Sequence, residues 1–379
     1  MSALRAVALA LLTLVGGVGA VLLASQPMVQ QARRPAWPPQ AEAGAARLAL
    51  IAGVPALLVE GDAEQRGRAS ARLVARQAAD LFAIMRWNPR LALADAERLA
   101  AHIAEDDRRE VLAFAECAGL DPQRLLVAQA ILETLCTAAV HVPNALIARN
   151  MDFFPPVILA RHTLLQVVRA PQAHAYLAVG WPGLVGVISG VNEHGLVACV
   201  LLNWLGDELP PAEPLALRAR AILQRCRSVD EAWALFAQRP VGSPHFLLLA
   251  DVRRALVAWW TLAGPRCDEA GPDGWLFASN WPRAGPLPRD GDVRGARLLA
   301  ACRALPSPGD PEALRATLAT SYLPGLNAQA MLFDLRRQRL HLALAEPGLP
   351  AACASWREIA WPPLFAAGQP VPQPRASAD

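Results

Sequence analysis

The chain has 379 residues, of which 54% are hydrophobic and 18% are charged, and its formal net charge is +3 at pH 7. A chain of this length and composition can bury a complete core, which excludes an intrinsically disordered protein. The nearly balanced charge predicts no nucleic-acid partner, because phosphate binding requires basic residues clustered on one face. The seven cysteines form no CxxC pair. No Cys/His group has zinc-site spacing, and no metal or organic cofactor is implied.

The N-terminus predicts export. Arg5 precedes a largely apolar stretch from Ala6 to Ala24, a pattern typical of a secretory signal peptide or an uncleaved membrane anchor. We therefore expect residues 1–25 to direct the protein out of the cytoplasm, where it would be secreted, periplasmic or anchored in the membrane facing outside. Residues 26–46 are rich in Pro, Ala and Gln and are predicted to form a linker.

Helices are predicted to dominate the part of the chain before residue 136. Short apolar runs broken by Gly and Pro favour strands within residues 48–60. The apolar spacing that follows predicts helices over residues 63–86, 91–119 and 121–135. The last of these helices starts at Asp121-Pro122, a good helix start, and leads directly into Cys136.

Strands are predicted to dominate after residue 136, with two helices among them, over residues 215–238 and 293–305. The predicted strands cover residues 136–141, 145–154, 163–168, 175–179, 185–189, 196–203, 246–250, 255–261 and 275–278, and a last hairpin covers residues 329–344. Helices first and hairpin-linked strands later predict an α+β layered fold with antiparallel sheets. The Pro- and Ser-rich tail, residues 368–379, is expected to be disordered.

The first predicted hairpin carries the most reactive group of side chains. A turn centred on Pro143-Asn144 pairs Cys136 with Met151, which brings a thiol, a guanidinium (Arg149) and a carboxylate (Asp152) together. Arg149 and Asp152 are an odd number of residues apart, so strict alternation points them to opposite faces of the sheet. A bulge or the strand end has to reconcile the two, or one of them lies outside the site.

A cysteine nucleophile needs either a base or a neighbouring cation, because the thiolate is the reactive form. The histidine closest in sequence is His141, five residues after Cys136 on the same predicted strand and of opposite parity. His194 or His245 remains available for a Cys-His dyad formed in the folded chain.

Several segments resemble the N-terminal nucleophile cysteine hydrolases. CTAAVHVPNALIARNMDFF, at 136–154, is similar to the strand-turn-strand that opens their catalytic chain. This group includes choloylglycine hydrolases, penicillin V acylases, acid ceramidases and acyl-CoA:6-aminopenicillanate acyltransferases. AECAGLDPQRLLVAQAILETL resembles the propeptide of the autoproteolytic acyltransferase branch, and PGLVGVISGVNEHGLVACVLLNW and ASNWP resemble later segments. The resemblance runs from about residue 48 to 350 and implies a four-layer αββα sandwich.

The resemblance also implies a mechanism. The Cys136 thiol would attack the Leu135 carbonyl, and hydrolysis of the resulting thioester would free the α-amine as general base. Residues 47–135 would then be a propeptide that stays associated with a catalytic chain, residues 136–367. The resemblance implies that Arg149 stabilises the thiolate and that Asp152 positions the amine or the thiol. Asn203 and Asn280 would form the oxyanion hole. Arg294 would be a second basic group of the site, with Arg289 and Arg297 as competitors for that alignment.

The implied substrate is a small-molecule, non-peptide amide, and an apolar site favours a lipophilic N-acyl group. Three tryptophans close to these positions are candidates to line an acyl pocket, namely Trp181, Trp204 and Trp281. One departure concerns Leu135, because many relatives of the acyltransferase branch carry Gly there and a bulky residue slows cleavage. Another is the spacing from Cys136 to Arg149, which is shorter than in bile-salt hydrolases.

Two other interpretations remain open at the level of sequence. One is an unprocessed Cys-His hydrolase, which predicts a single full-length chain. The other is an exported binding protein that has kept the fold after losing catalysis. Both are less favoured, because the proposed nucleophile and its neighbours are all present.

Overall fold

The computed structural model describes residues 35–85, 93–130, 135–203, 209–280 and 293–366. The predicted signal or anchor segment, with its apolar residues 6–24, and the predicted tail lie outside these residues. Within the described ranges, no helix combines the length and the apolar character needed to cross a bilayer.

The first of two sheets contains ten strands. In spatial order they are β1 (Gln40–Ala43), β2 (Ala46–Ile51), β3 (Val54–Glu60), β6 (Leu164–Arg169), β7 (Tyr176–Gly180), β8 (Ser189–Asn192), β9 (Val197–Leu202), β10 (His245–Ala250), β11 (Ala255–Thr261) and β12 (Gly264–Glu269). Neighbouring strands are antiparallel except for β3 and β6, which are parallel. This one parallel pair joins the part of the chain before residue 136 to the part after it.

The second sheet contains six strands, all antiparallel to their neighbours. In spatial order they are β13 (Trp275–Ala278), β4 (Leu135–His141), β5 (Leu146–Asp152), β14 (Asn327–Asp334), β15 (Arg339–Leu344) and β16 (Trp356–Ala360). The hairpin that carries the candidate nucleophile therefore lies inside the sheet, with a strand on either side of it. Both of its strands are almost entirely buried.

Helices cover the outer faces of the two sheets. They are α1 (Ala63–Met85), α2 (Leu93–Ala100), α3 (Glu105–Ala118), α4 (Pro122–Ala130), α5 (Pro156–Arg161), α6 (Leu215–Arg225), α7 (Val229–Ala237), α8 (Val293–Arg303), α9 (Pro311–Thr317) and α10 (Pro362–Phe365). Helices α1, α6 and α7 pack on the first sheet, α8 and α9 pack on the second, and the inner faces of the sheets meet through β4 and β9. This confirms the predicted α+β fold with antiparallel sheets, arranged as an αββα sandwich.

Two predicted helices are each divided in the structure. The helix predicted over residues 91–119 is two helices, α2 and α3, and α3 begins with three acidic residues that favour a helix N-terminus. The helix predicted over residues 215–238 is likewise α6 and α7. Ser228 separates them, because its side chain accepts a hydrogen bond from the backbone N–H of Glu231 and so caps a new helix.

The strand predicted over residues 185–189 was wrong for all but its last residue. The backbone N–H of Val185 donates to the Gln129 side chain and that of Val187 to the Ala216 carbonyl, so these two donors bond to helical residues instead of forming a strand ladder. Residues 40–43, inside the predicted linker, form β1 and pair with β2. Five elements were not predicted from the sequence, namely α5, α9, α10, β12 and β16.

Side chains on both sides of residue 136 share one buried charge network beneath the first sheet. Glu110 of α3 accepts hydrogen bonds from Arg66 of α1 at 2.6 Å and from Arg220 of α6 at 2.5 Å. All three residues are buried. Gln129 adds a neutral link, since its side chain donates to the carbonyl of Gly183. The N-terminal helices are thus bonded to the later part of the chain by side chains as well as by strand pairing.

Candidate active site

The register of the β4–β5 hairpin is the predicted one. Cys136 pairs with Met151, and Leu135 pairs with Asp152. The turn between the strands is a short 3-10 helix, Val142–Asn144, followed by Ala145 with a positive φ of 54°. A tight turn of this kind accommodates the short spacing between the thiol and the guanidinium.

Arg149 joins the candidate nucleophile to the first sheet. Its Nη2 atom lies 3.1 Å from Sγ of Cys136, and both side chains are fully buried. The same guanidinium donates to the hydroxyl of Ser189 and the carbonyl of Val200, both in the first sheet, and to the carbonyl of Ile188 just before β8. A planar guanidinium with several fixed donors suits such a set of acceptors. The sulfur therefore lies between the sheets with a positive charge held against it.

A second thiol lies beside the same arginine. Cys199 pairs with Ser189 across β8 and β9, and its thiol interacts electrostatically with Arg149. Burial raises the pKa of the Cys199 thiol, and Arg149 only partly offsets this effect. Burial also disfavours the charge of Arg149, but the sulfur atoms of Cys136 and Cys199 outweigh burial and raise its pKa. Arg149 therefore stays a cation at every physiological pH.

Asp152 points to the opposite face of the sheet, as the parity of the strand requires. Its Oδ2 accepts hydrogen bonds from Nη1 of Arg294 at 2.9 Å and from the backbone N–H of Leu323 at 3.1 Å. Its Oδ1 accepts one from Nδ2 of Asn327 at 2.9 Å. The carboxyl is fully buried. Burial raises its pKa to about 6, although Arg294 and the hydrogen bonds act in the other direction.

Asn280 and Arg294 connect Asp152 to the backbone of Cys136. Oδ1 of Asn280 accepts the backbone N–H of Cys136 at 2.9 Å and Nη2 of Arg294 at 2.7 Å, while Nη1 of Arg294 binds Asp152. Arg149 and Asp152 point to opposite faces of the sheet, yet both are linked to Cys136 at the end of the strand. The guanidinium of Arg149 contacts the sulfur, and the carboxylate reaches the nitrogen of the same cysteine through two intervening side chains. A register shift of β14 at Asn327 accompanies this arrangement.

The two predicted oxyanion-hole residues lie next to each other. Nδ2 of Asn280 donates to the carbonyl of Leu202 at 2.8 Å, and Asn203 is the next residue in the chain. Asn203 is buried, and its backbone N–H donates to the carbonyl of Pro244. In this state Asn280 uses its side-chain oxygen on Cys136 and its side-chain nitrogen on the first sheet.

The alternative candidates lie elsewhere. On α8, Arg297 is exposed whereas Arg294 reaches the site, and Arg289 lies outside the described residues. The indole of Trp181 packs against Phe153 and donates to the Leu159 carbonyl, as a core residue does. The other two tryptophans, Trp204 and Trp281, fall outside the described ranges.

His141 and the two dyad candidates, His194 and His245, occupy three different places. His141 is five residues from Cys136 along β4, about 16 Å at the usual rise of a strand, and its ring packs at a tilt against that of Trp275. His194 lies in the turn after β8, and the end of that strand at Asn192 is about 10 Å from Ser189. His245 is buried at the start of β10, opposite Leu202.

Four groups that hold the site together were not predicted from the sequence. Ser189 and Cys199 contact Arg149, and Asn327 and the backbone of Leu323 contact Asp152. Ser189 and Cys199 stand inside a segment already singled out by resemblance. Nothing in the sequence signals the other two, because their positions depend on the packing of β14 and the preceding loop against β5.

Residues 141–267 match the family model described as acyl-coenzyme A:6-aminopenicillanic acid acyl-transferase. The predicted resemblance to this family is confirmed. The match covers about a third of the chain and includes Arg149, Asp152 and Asn203, whereas Cys136, Asn280 and Arg294 lie outside it. It supports an enzyme that cleaves amides or transfers acyl groups. No curated protein matches the sequence.

Three solved structures resemble the chain at low sequence identity. An N-acylethanolamine-hydrolyzing acid amidase ortholog from Caenorhabditis elegans is 17% identical, with 53% of this chain and 93% of that chain covered and a TM-score of 0.45. Penicillin V acylase from Agrobacterium tumefaciens is 14% identical, with 61% and 93% covered and a TM-score of 0.39. A variant of conjugated bile acid hydrolase from Clostridium perfringens is 10% identical, with 60% and 92% covered and a TM-score of 0.39.

Proposed function

We propose that this protein is a cysteine amidohydrolase or acyltransferase that activates itself by cutting the bond between Leu135 and Cys136. The observation that carries the proposal is the pair of contacts made by Cys136. Its sulfur lies 3.1 Å from a guanidinium nitrogen of Arg149, and its backbone nitrogen is held at 2.9 Å by Asn280. A cation beside a sulfur favours the thiolate, and a fixed nitrogen prepares the position of the future amine.

The cleavage step balances without any cofactor. The Sγ atom of Cys136 forms a bond to the carbonyl carbon of Leu135, and the peptide C–N bond breaks as the nitrogen gains a proton. Water then hydrolyses the thioester, which releases the Leu135 carboxylate and restores the thiol. Leu135 is partly exposed although Cys136 is fully buried, a difference that favours access of water to the carbonyl rather than to the sulfur.

After cleavage, the free α-amine would take over the position of the Cys136 peptide nitrogen. Asn280 accepts a hydrogen bond at that position. Arg294 donates to Asn280 and to Asp152, so it holds Asn280 in place. An α-amine has an ordinary pKa near 8, so it can accept the proton of the adjacent thiol near neutral pH. The thiolate would then attack a substrate amide and form an acyl thioester, and either water or an acceptor amine would resolve it.

We also propose that the two fragments stay associated. The parallel pairing of β3 with β6 and the hydrogen bond from Arg220 to Glu110 both cross the boundary at residue 135. The substrate class follows from the surroundings of the sulfur. Cys136 belongs to an apolar core that includes Met151 and Val200, which favours an amide with a lipophilic acyl group.

The decisive experiment measures intact fragment masses of the purified wild type, of Cys136→Ala and of Cys353→Ala. Cys353 is an exposed cysteine remote in sequence from the hairpin, so its variant is the matched control. We expect the wild type and the control to yield a fragment that begins at Cys136, and Cys136→Ala to stay whole. Full-length wild type, or an equally cleaved Cys136→Ala, would refute self-cleavage by this residue.

Activity separates the proposed chemistry from the other two interpretations. The processed wild type should hydrolyse long-chain N-acyl amides, and mass spectrometry of quenched reactions should find the acyl group on Cys136. An unprocessed chain whose activity requires His245 would instead favour the Cys-His hydrolase. A folded, uncleaved chain whose Cys136 reacts with no acylating electrophile would favour a binding protein.

A further inference from the structure

Three side chains that the proposed reaction does not use converge at one end of the first sheet. His174 lies in the connection between β6 and β7, and Glu193 and His194 form the turn between β8 and β9. Their ligand atoms all lie within 4.8 Å of one another, and all three side chains are partly exposed. The group lies beyond the end of β8 at Asn192, which is about 10 Å from Ser189, so it is separate from the candidate active site.

The distances within this group are those of a metal site. Nδ1 of His174 lies 3.0 Å from Nε2 of His194 and 3.2 Å from Oε1 of Glu193, and the third distance is 3.9 Å. Zinc binds nitrogen and carboxylate oxygen at about 2.0–2.2 Å in tetrahedral geometry, which puts neighbouring ligand atoms about 3.3–3.5 Å apart. The three atoms therefore lie close to three corners of a zinc coordination tetrahedron.

Hydrogen bonding alone satisfies this arrangement poorly. A carboxylate only accepts, so Nδ1 of His174 has to carry the proton for its contact with Glu193. The same proton then has to serve the contact with Nε2 of His194. A single cation bound by all three lone pairs would satisfy the three atoms at once.

The backbone around the group is fixed before any metal binds. Asn192 is fully buried, and its side chain donates to the carbonyls of Leu223 and Cys226 at the end of α6. Its Oδ1 accepts the backbone N–H groups of His194 and Leu196. Gly195, with φ of 79°, supplies the left-handed conformation of this turn.

The His174 side of the group is anchored to the same helix end. The backbone N–H of His174 donates to the carbonyl of Gln224, and that of Glu193 donates to the carbonyl of Ala175. Two turns from different parts of the sheet are thus held against one helix with their ligand atoms facing each other. Such preorganisation lowers the cost of binding, because few rotamers have to be fixed.

We propose that His174, Glu193 and His194 bind one Zn²⁺ ion, with a water molecule in the fourth position. Two imidazoles and one carboxylate form a ligand set that suits Zn²⁺. Because the site joins two turns of the first sheet, bound Zn²⁺ should stabilise the folded protein rather than take part in chemistry at Cys136.

The test uses the full chain after removal of metal with a chelator, in a Cys117→Ser, Cys353→Ser background that eliminates the two exposed thiols. Titration calorimetry with ZnCl₂ should give one site per chain. His174→Ala and His194→Ala should each weaken binding at least about tenfold, a loss of 1.4 kcal/mol or more. His102→Ala, which removes an exposed histidine elsewhere, should leave binding unchanged.

Two further measurements guard against misfolded variants and other binding sites. Zn²⁺ should raise the melting temperature of the background protein but not that of Glu193→Gln, a variant of nearly the same size. Co²⁺ bound in place of Zn²⁺ should give the visible absorption of a tetrahedral site without a thiolate charge-transfer band. Equal Zn²⁺ affinity in the background protein and in both histidine variants, or a thiolate band, would overturn the proposal.

Discussion

Arg149 and Cys136 meet between the two sheets, with a guanidinium nitrogen 3.1 Å from the sulfur and no solvent access to either side chain. The guanidinium is itself held by acceptors on β8 and β9, so the charge has a fixed position rather than a mobile one. This relationship makes Arg149 the residue whose replacement tests the site most directly.

Arg149→Lys should slow self-cleavage by at least about tenfold. A lysine keeps the charge but has three donors on one nitrogen, and it cannot bind the sulfur together with the acceptors on the first sheet. The measurement is the rate of fragment appearance by mass spectrometry. Arg218→Lys is the matched control, because Arg218 is a buried arginine that binds Glu213 away from the hairpin. Equal slowing in both variants would mean that loss of any buried arginine explains the effect.

The free energy of unfolding should depend on pH through the ionisation of Asp152. Its pKa is raised to about 6 in the folded protein. Folding therefore favours the protonated form, and the contribution to stability is complete below pH 4 and lost as pH rises through 6. In the uncleaved Cys136→Ala background, the free energy of unfolding measured with urea should show this loss. Asp152→Asn should reduce the loss and exposed Asp106→Asn should not.

Self-cleavage should respond to pH in the opposite direction. If the ionised carboxylate of Asp152 is what holds Arg294 and Asn280 in position, cleavage should accelerate as pH rises through about 6. A cleavage rate that is constant from pH 4.5 to 7.5 would show that the charge of Asp152 is not needed.

Two arginines on helix α8 allow a paired test of the connection to the Cys136 backbone. Arg294→Gln should slow cleavage by about tenfold or more and lower stability by about 3–5 kcal/mol, because it leaves the buried carboxylate of Asp152 without its ion pair. Arg297→Gln, three residues further along the same helix and exposed, should change neither. The measurements are fragment masses over time and urea denaturation, and a large effect of Arg297→Gln would favour it as the site residue.

Glu110 should determine whether the two fragments hold together. Burial disfavours its charge, but Arg220 and Arg66 more than compensate and lower its pKa. Glu110→Gln leaves two buried guanidinium groups without this carboxylate and should cost about 3–5 kcal/mol. Size-exclusion chromatography in moderate urea should then separate the fragments of the variant at lower urea than those of the wild type. Exposed Glu116→Gln should behave as the wild type does.

Much of the site could be predicted from local sequence. The Cys136–Met151 register follows from one turn and the two-residue alternation of strands, which are short-range constraints. The opposite faces of Arg149 and Asp152 follow from the same alternation. The partners Ser189 and Asn327 could not be derived in this way, because they reach the hairpin only when distant strands pack against it.

The same contrast between local and long-range constraints applies to the fold. The strand predicted over residues 185–189 is an apolar run that periodicity alone does not distinguish from a strand. Its backbone groups bond to Gln129 and Ala216, which the sequence does not place nearby. The single helix predicted over residues 215–238 was wrong for a local reason, because Ser228 caps a second helix within that range.

The parallel pairing of β3 with β6 has a consequence for the order of events in the cell. The ten-stranded sheet takes strands from both sides of residue 135, so a chain cut before folding would leave two pieces with unpaired strand edges, which are prone to aggregate. Under the proposed self-cleavage, scission follows assembly. The cleaved fraction in a cell extract would then equal the fraction of molecules that have reached the native state, so it would measure the folding yield.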